Sequence, residues 1–347
     1  MDGGDTKPTK RKPARSASRG VTMEAVGRMA GVSQVTVSRA LSDPSKVSAA
    51  TLRKINEAIA ATGFVPNAIA GALASSRSKL ITALVPSITN IVYAAMIRAF
   101  SQRMREAGYQ ILLSETGFDP AEEERTIATH LSRRPDAILL TGIHHSPQAR
   151  RMLLASGIPV VEVWDFTDSP IDICIGFRHV ETGRAAAEFA VERGDTAAAT
   201  ISAGDERARR RKAAFSEHFT RLTGTPVAEI DFDEMATVAR GRKGMARLID
   251  DHGFTSGIVF CSSDVLAHGA IIEATKRGFA IPGDIAVIGF GDQEFAGDVE
   301  PPITTIKVDL EAFGRTAADA LLRRFEGSST PDTAIDLGFE IIRRQSA

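Results

Sequence analysis

From Leu80 to the C-terminus, apolar runs of strand length alternate with longer amphipathic stretches whose apolar positions recur at helical spacing. The runs are "LITALVP", "YQILLSE", "DAILLTG", "IPVVEVW", "AAATISAG", "GIVFCSS" and "IAVIGFG". The stretches between them close near Gly108, Gly157, Gly194, Gly253 and Gly278, where glycine accepts the conformation that ends a helix. This alternation predicts parallel strands joined by right-handed crossovers. There are too many units for one compact sheet. The expected architecture is therefore α/β, with two doubly wound lobes and a ligand in the cleft at the C-terminal ends of the strands.

Before Leu80 the pattern is helical. Thr22 is placed to N-cap a first helix that carries Ala25, Val26 and Met29 on one face, and Gly31 turns the chain. Ser33 caps a second helix, whose Val37 and Leu41 pack inward while Gln34, Val35, Thr36, Ser38 and Arg39 face outward. A third begins at Ser48, buries Leu52, Ile55 and Ile59, and stops at Gly63. Phe64, Val65 and Pro66 break the chain before "NAIAGALASSRS", an Ala-rich segment too poor in bulky residues to be stable alone. Residues 1–20 are rich in Lys, Arg, Pro, Ser and Gly and read as a disordered basic arm, either a solubilising leader or a direct nucleic-acid contact.

Composition adds three constraints. A 347-residue chain that is 43% hydrophobic and 24% charged suits a soluble protein of more than one domain. No apolar run reaches membrane-spanning length and no apolar segment follows the N-terminal basic residues, so a cytoplasmic location is expected, with neither a span nor a secretory signal. Cys174 and Cys261 sit far apart inside apolar runs, as buried thiols do. The net charge of −1 conceals an asymmetry: up to Lys79 there are thirteen Lys and Arg against five acids. A basic head on an acidic body points to a polyanionic partner for the head alone.

A short helix held at a fixed angle by its predecessor can enter a major groove. There Gln34 and Arg39 reach base edges or phosphates, and Ser33, Thr36 and Ser38 reach phosphate oxygens. The plainer alternative is a helical hairpin within a larger helical domain, which the surrounding basic surplus disfavours.

The stretch "VTMEAVGRMAGVSQVTVSRALSDPSKVS", followed by "GFVPNAIAGALASSRS", resembles the LacI family of bacterial transcription regulators, and the alternating body resembles that family's periplasmic-binding-protein-like core. The resemblance runs from about Val21 to the C-terminus. It implies an arm over residues 1–20, a helix-turn-helix domain over 21–66, a hinge helix and linker over 67–79, and an effector-binding and dimerisation core over 80–347. Within the core the N-lobe is expected at about 80–176 and 307–330, and the C-lobe at about 177–306 and 331–347. By the same resemblance Gln34 and Val35 read bases, Arg39 contacts a base or the backbone, and Thr22, Ser33, Thr36, Ser38, Ser48 and Thr51 hold phosphates. Asn67 opens the hinge and Leu73 matches the leucine that wedges into a minor-groove step, kinking the duplex. Gly71 departs from the pattern, since many relatives carry a basic residue there.

In the core, "ERARRRKAAF" sets four arginines at the start of a helix. Arg207 and Arg211, four apart on one face, align with effector-contacting positions, whereas Arg210 and Lys212 read better as a solvated basic face. Trp164 and Asp165 align with another effector site, an aromatic floor beside a carboxylate. Tyr93, Phe177, Arg178 and Asp264 complete the cleft by alignment, although Tyr93 and Phe177 could equally be core and Asp264 a helix N-cap, and packing of the interlobe core is the lesser alternative for Trp164. Where the family has an acid directly after "GF" this chain has Gly291, followed by Asp292. Extra arginines and a lost acid shift the pocket toward an anion, and "VVEVWDF…DICIGF" with "GDERARRRKAAF" look most like gluconate-utilisation repressors.

These readings lead to a DNA-binding repressor, a homodimer on double-stranded operator DNA, controlled by a small effector such as gluconate or a related sugar acid. A neutral-sugar inducer or a corepressor is the alternative within that class. A solute-binding transport component shares the body but has no use for the head. An enzyme is disfavoured, because the sequence has no Gly-rich phosphate loop, no nucleophile elbow and no metal-ligand spacing; neither cofactor nor metal is expected.

Overall fold

The computed structural model describes residues 20–66, 77–204, 206–327 and 333–347. Residues 1–19 of the arm and the hinge positions Asn67, Gly71 and Leu73 lie outside them. The chain divides into two units, residues 1–78 and 79–347.

In the first unit the caps form where small hydroxyl residues precede each helix. Thr22 accepts the Ala25 amide at 3.3 Å and starts α1 (Met23–Ala30), which ends at Gly31 with φ +70°. Ser33 accepts the Thr36 amide at 3.2 Å and starts α2 (Gln34–Ser42). Ser48 does the same for Thr51 at the start of α3 (Ala49–Thr62), closed by Gly63. Val26, Val37, Ile55 and Phe64 are buried together, with Leu41, Leu52 and Ile59 packed against them. Met29 departs from the expected inward face and is 60% exposed. The buried side of α1 is Val26, Gly27 and Ala30, which leaves Met29 beyond its edge. Gly27 is required there because a Cβ would lie 2.8 Å from the Val32 carbonyl oxygen.

The second unit holds two six-stranded sheets. The first contains β1 (Leu80–Val85), β2 (Gln110–Glu115), β3 (Ala137–Thr141), β4 (Val160–Val163), β5 (Ile173–Gly176) and β11 (Ala334–Asp336), ordered β11-β5-β4-β3-β1-β2 with every pair parallel. The second contains β6 (Ala198–Ala203), β7 (Ala228–Phe232), β8 (Gly257–Cys261), β9 (Ile285–Phe290), β10 (Thr304–Lys307) and β12 (Glu340–Ile342). Its order is β12-β10-β9-β8-β6-β7, parallel except for β12. Helices pair on the sheets as the crossovers demand: α4 (Ile91–Glu106) with α11 (Leu310–Phe325), α5 (Pro120–Leu131) with α6 (Pro147–Ser156), α7 (His179–Glu192) with α8 (Glu206–Thr223), and α9 (Val238–His252) with α10 (Asp264–Lys276).

The chain passes between the lobes three times: after Gly176, between Lys307 and Leu310, and after Asp336. The last passage comes later than the boundary expected near residue 331, because Ala334, Ile335 and Asp336 pair with Cys174, Ile175 and Gly176 as an added edge strand of the first sheet. Where the lobes meet, Trp164, Phe177, Phe290 and Phe313 form one aromatic cluster, with centroids of Trp164 and Phe177 5.4 Å apart. Both cysteines are buried and unpaired. Among the described residues no helix is long and apolar enough to cross a membrane.

Candidate functional site

Two surfaces carry the chemistry. On the head, Gln34, Val35, Ser38 and Arg39 are exposed along α2, Val35 at 65%. Hydroxyls collect at the helix starts: Ser33 Oγ lies 2.9 Å from Thr36 Oγ1, and Ser48 Oγ 2.9 Å from Thr51 Oγ1. A hydroxyl pair beside the amides that open a helix is a natural partner for a phosphate oxygen. Gln34 and Val35 occupy the first turn of α2, where an amide and an apolar tip can meet base edges and a thymine methyl.

The second surface is a cavity of about 240 Å³ between the lobes. Strand C-termini supply its wall, as a doubly wound sheet requires. Asn90, Tyr93, Phe118 and Trp164 come from the first lobe, and Ala203, Arg211, Met235, Ser262, Ser263, Phe290 and Gln293 from the second. Trp164 follows β4 in a left-handed conformation, φ +75°, which is strained for a residue with a large side chain. Its ring meets Tyr93 edge-on at 5.8 Å.

Arg211 is held on three sides. Its guanidinium lies 3.7 Å from the Phe290 ring centroid, one amino group donates to the Ser262 carbonyl at 3.2 Å, and the other meets His179 Nδ1 at 2.9 Å. His179 Nε2 in turn lies 3.0 Å from the Trp164 carbonyl. A carbonyl only accepts, so Nε2 carries the hydrogen and Nδ1 offers its lone pair to Arg211. Burial, and after it the charges of Arg211, Arg207 and Arg210, hold the imidazole neutral with a pKa well below its ordinary value. Arg207, also buried, donates to the Tyr93 hydroxyl at 3.2 Å across the lobes.

Of the nine side chains that the resemblance places around an effector, Tyr93, Trp164 and Arg211 line the cavity, and Arg207 stands behind Tyr93. The others are engaged elsewhere. Phe177 is wholly buried beneath Trp164. Arg178 is an exposed ion-pair partner of Asp168 and Asp336. Asp165 is buried and paired with Arg210, its other oxygen accepting the Phe166 amide at 2.8 Å. Asp264 is buried, accepting from Thr305 and, at 2.8 Å, from the Gln293 amide; burial raises its pKa to about 6. It does not cap α10, because Ser263 does. Asp292, with φ +46°, turns to Arg344 at 2.7 Å.

Arg210 and Lys212 are likewise not a solvated face. Arg210 joins Asp165 and Glu206, and Lys212 sits 2.7 Å from both Glu229 and Asp231 on β7. His144, Asp165 and Glu206 bring three potential ligand atoms within 4.8 Å of one another at the cleft edge. The Arg210 guanidinium is paired with both carboxylates of this cluster.

Asn90, Phe118, Ser262, Ser263 and Gln293 were not singled out from the sequence. Their signal was positional: Ser262 and Ser263 directly follow the apolar run of β8, and Asn90 caps the helix after β1. Residues in those places face the crevice whatever their type.

The comparisons with known proteins agree with this geometry. Residues 22–67 match the model for bacterial regulatory proteins of the lacI family, and residues 181–347 that for a periplasmic binding protein-like domain. The HTH-type transcriptional regulator GntR of Pseudomonas aeruginosa is 36% identical over 94% of this chain and 95% of its own length. A LacI family transcriptional regulator from Silicibacter pomeroyi superimposes with a TM-score of 0.88 at 30% identity, covering 94% of this chain and 99% of that one. The lac repressor dimer bound to operator and the anti-inducer ONPF gives 0.81 at 25% identity, over 94% and 99%. The chain belongs to the lacI family of bacterial regulatory proteins. It is a DNA-binding transcriptional repressor with a helix-turn-helix head and a periplasmic-binding-like core.

Proposed function

We propose that this repressor binds a pseudo-palindromic operator as a homodimer and that a sugar acid such as gluconate, held in the cleft, sets its affinity for DNA. Effector binding draws the lobes together, and the separation of the two heads follows. The observation that carries the ligand class is Arg211, a buried guanidinium stacked on Phe290 in a cavity wall that also carries aromatic, aliphatic, hydroxyl and amide groups. A guanidinium in the cavity wall attracts a carboxylate more strongly than the hydroxyls of a neutral sugar. Asp292 is committed to Arg344, so it does not offset that positive charge within the cavity wall. The resemblance to gluconate-utilisation repressors and the kinship with a regulator named GntR support the same ligand.

Calorimetry with the purified protein tests this reading. Gluconate is expected to bind at least about tenfold more tightly than glucose, roughly 1.4 kcal/mol, and Arg211→Ala is expected to remove most of that preference. Glucose binding as tightly as gluconate assigns the cleft to neutral sugars. Sharper operator binding in the presence of gluconate makes the ligand a corepressor.

A further inference from the structure

We propose that His179 is a positioning residue that aims the cleft arginine and holds the tryptophan wall in one bridge between the lobes. It belongs to α7, does not itself line the cavity, and is 1% exposed. Its two ring nitrogens nevertheless touch two cavity-lining residues from opposite lobes: Nδ1 accepts from Arg211 on α8, and Nε2 donates to the Trp164 carbonyl after β4. The second bond falls on a backbone at φ +75°, a conformation that needs outside support to persist. Only the neutral tautomer hydrogenated at Nε2 makes both bonds: burial, and after it the surrounding arginines, keep the ring neutral, and the Trp164 carbonyl fixes the hydrogen on Nε2.

The helix packing brings the pair together. Gly183 lies one turn beyond His179 on the same face of α7, and a Cβ there would meet the Arg211 carbonyl oxygen at 2.2 Å. The missing side chain lets the α8 backbone approach, which sets the Arg211 guanidinium within reach of an imidazole. Phe177, 4.3 Å from His179 between ring centroids, fixes the imidazole edge-on.

The inference about affinity rests on the sugar-acid reading of the cleft; the inference about the bridge does not. Trp164 is the single tryptophan of the chain, so its emission reports this wall alone. Three full-length variants separate the two bonds. His179→Asn retains an acceptor at the Nδ1 position, His179→Gln retains a donor at the Nε2 position, and His179→Leu retains neither.

Without ligand, acrylamide quenching of Trp164 is expected to rise in His179→Asn and His179→Leu and to stay parental in His179→Gln. With gluconate, His179→Gln and His179→Leu are expected to lose at least about tenfold in affinity, the scale of a misplaced charged hydrogen bond, while His179→Asn stays within about threefold. Thermal melting of each variant controls for folding. Parental quenching in His179→Leu, or losses in all three variants that only track their melting temperatures, would overturn the proposal. If the parent fails to bind gluconate, the ligand reading falls, and the contrast in quenching between His179→Asn and His179→Gln still decides the bridge.

Discussion

The head and the cleft place their working residues by opposite means. In the head, each cap joins residues three apart: Thr22 to Ala25, Ser33 to Thr36 and Ser48 to Thr51. In the cleft, the contacts join distant parts of the chain: His179 to Arg211 over 32 residues, Arg210 to Asp165 over 45 and Arg207 to Tyr93 over 114. A surface built from local bonds forms with its helices and tolerates exposure. A surface built from long-range bonds exists only when distant parts of the chain have folded together, and its charges can then be buried because each meets a partner. A DNA reader needs the first and a ligand clamp the second.

The sharpest test of this contrast uses one glycine from each region. Gly183→Ala drives a Cβ to 2.2 Å from the Arg211 backbone carbonyl, in a contact that α7 and α8 share along their length. The core is expected to lose more than about 3 kcal/mol, beyond ordinary overpacking, together with effector binding. Gly27→Ala meets the Val32 carbonyl at 2.8 Å, and a short turn can shift to relieve it, so about 1–2 kcal/mol is expected in the head. Chemical denaturation with separate probes for the two units reads both losses. Equal losses would erase the distinction.

Buried charge in the core should also make it, and not the head, sensitive to alkali. The His145 side chain is 1% exposed and contacts Glu123 and, at 3.4 Å, Glu162. Burial opposes its charge, but hydrogen bonds and attraction to Glu123 and Glu162 prevail and raise its pKa from 6.5 to about 9. A group with a raised pKa contributes its full stability below the unfolded value and loses it as pH climbs through the folded one. Core stability attributable to His145 is therefore present at pH 6.5 and declines toward and beyond pH 9. His145→Gln is expected to cost about 2–3 kcal/mol near neutrality and to flatten that decline. Subtracting the variant's curve removes the contribution of the buried thiols Cys174 and Cys261, which burial keeps protonated. In the head, the resolved shift is that of Asp43, lowered by its bonds from Ser45, so the head's sensitivity lies on the acid side. Parallel pH curves for parent and variant would remove His145 from the account.

The same contrast explains what could be read from the sequence. Three caps, two closing glycines and an outward polar face were legible because each is written within four residues, and the strand-helix alternation was legible because it is periodic. Met29 was misplaced by one edge of a helix, since only the meeting of Gly27 with Val32 reveals which side of α1 is buried. Arg178, Asp264 and Asp292 resembled ligand contacts, yet their partners Asp336, Thr305 and Arg344 lie far along the chain and could not be inferred from spacing. Arg210 looked solvated for the same reason: Asp165 is not near it until the lobes meet.

A third test concerns specificity in the head. Gln34 is exposed in the first turn of α2 and, if it reads a base, Gln34→Ala is expected to change preference at one or two operator positions by about 1–3 kcal/mol. Ser38→Ala should weaken all operators alike. Site selection on randomised operators distinguishes them, and an unchanged preference in Gln34→Ala removes the base-reading role.

The smallest effect lies at a place where the cleft is built like the head. Asn90 accepts the Val92 amide at 3.1 Å as the N-cap of α4 and also lines the cavity, so a local bond and a ligand-facing group coincide in one side chain. Ser48 has the same double position in the head, as the cap of α3 and a candidate phosphate contact. Removing either cap is expected to cost about 1 kcal/mol of the unit that contains it. Asn90→Asp retains a capping oxygen and adds a negative charge facing a site read as binding an anion. It should therefore keep the stability that Asn90→Ala loses, yet bind gluconate more weakly than Asn90→Ala does. Melting temperature and gluconate affinity, measured on the two variants side by side, should rank them in opposite orders. The same order in both measurements would mean that Asn90 acts only as a cap.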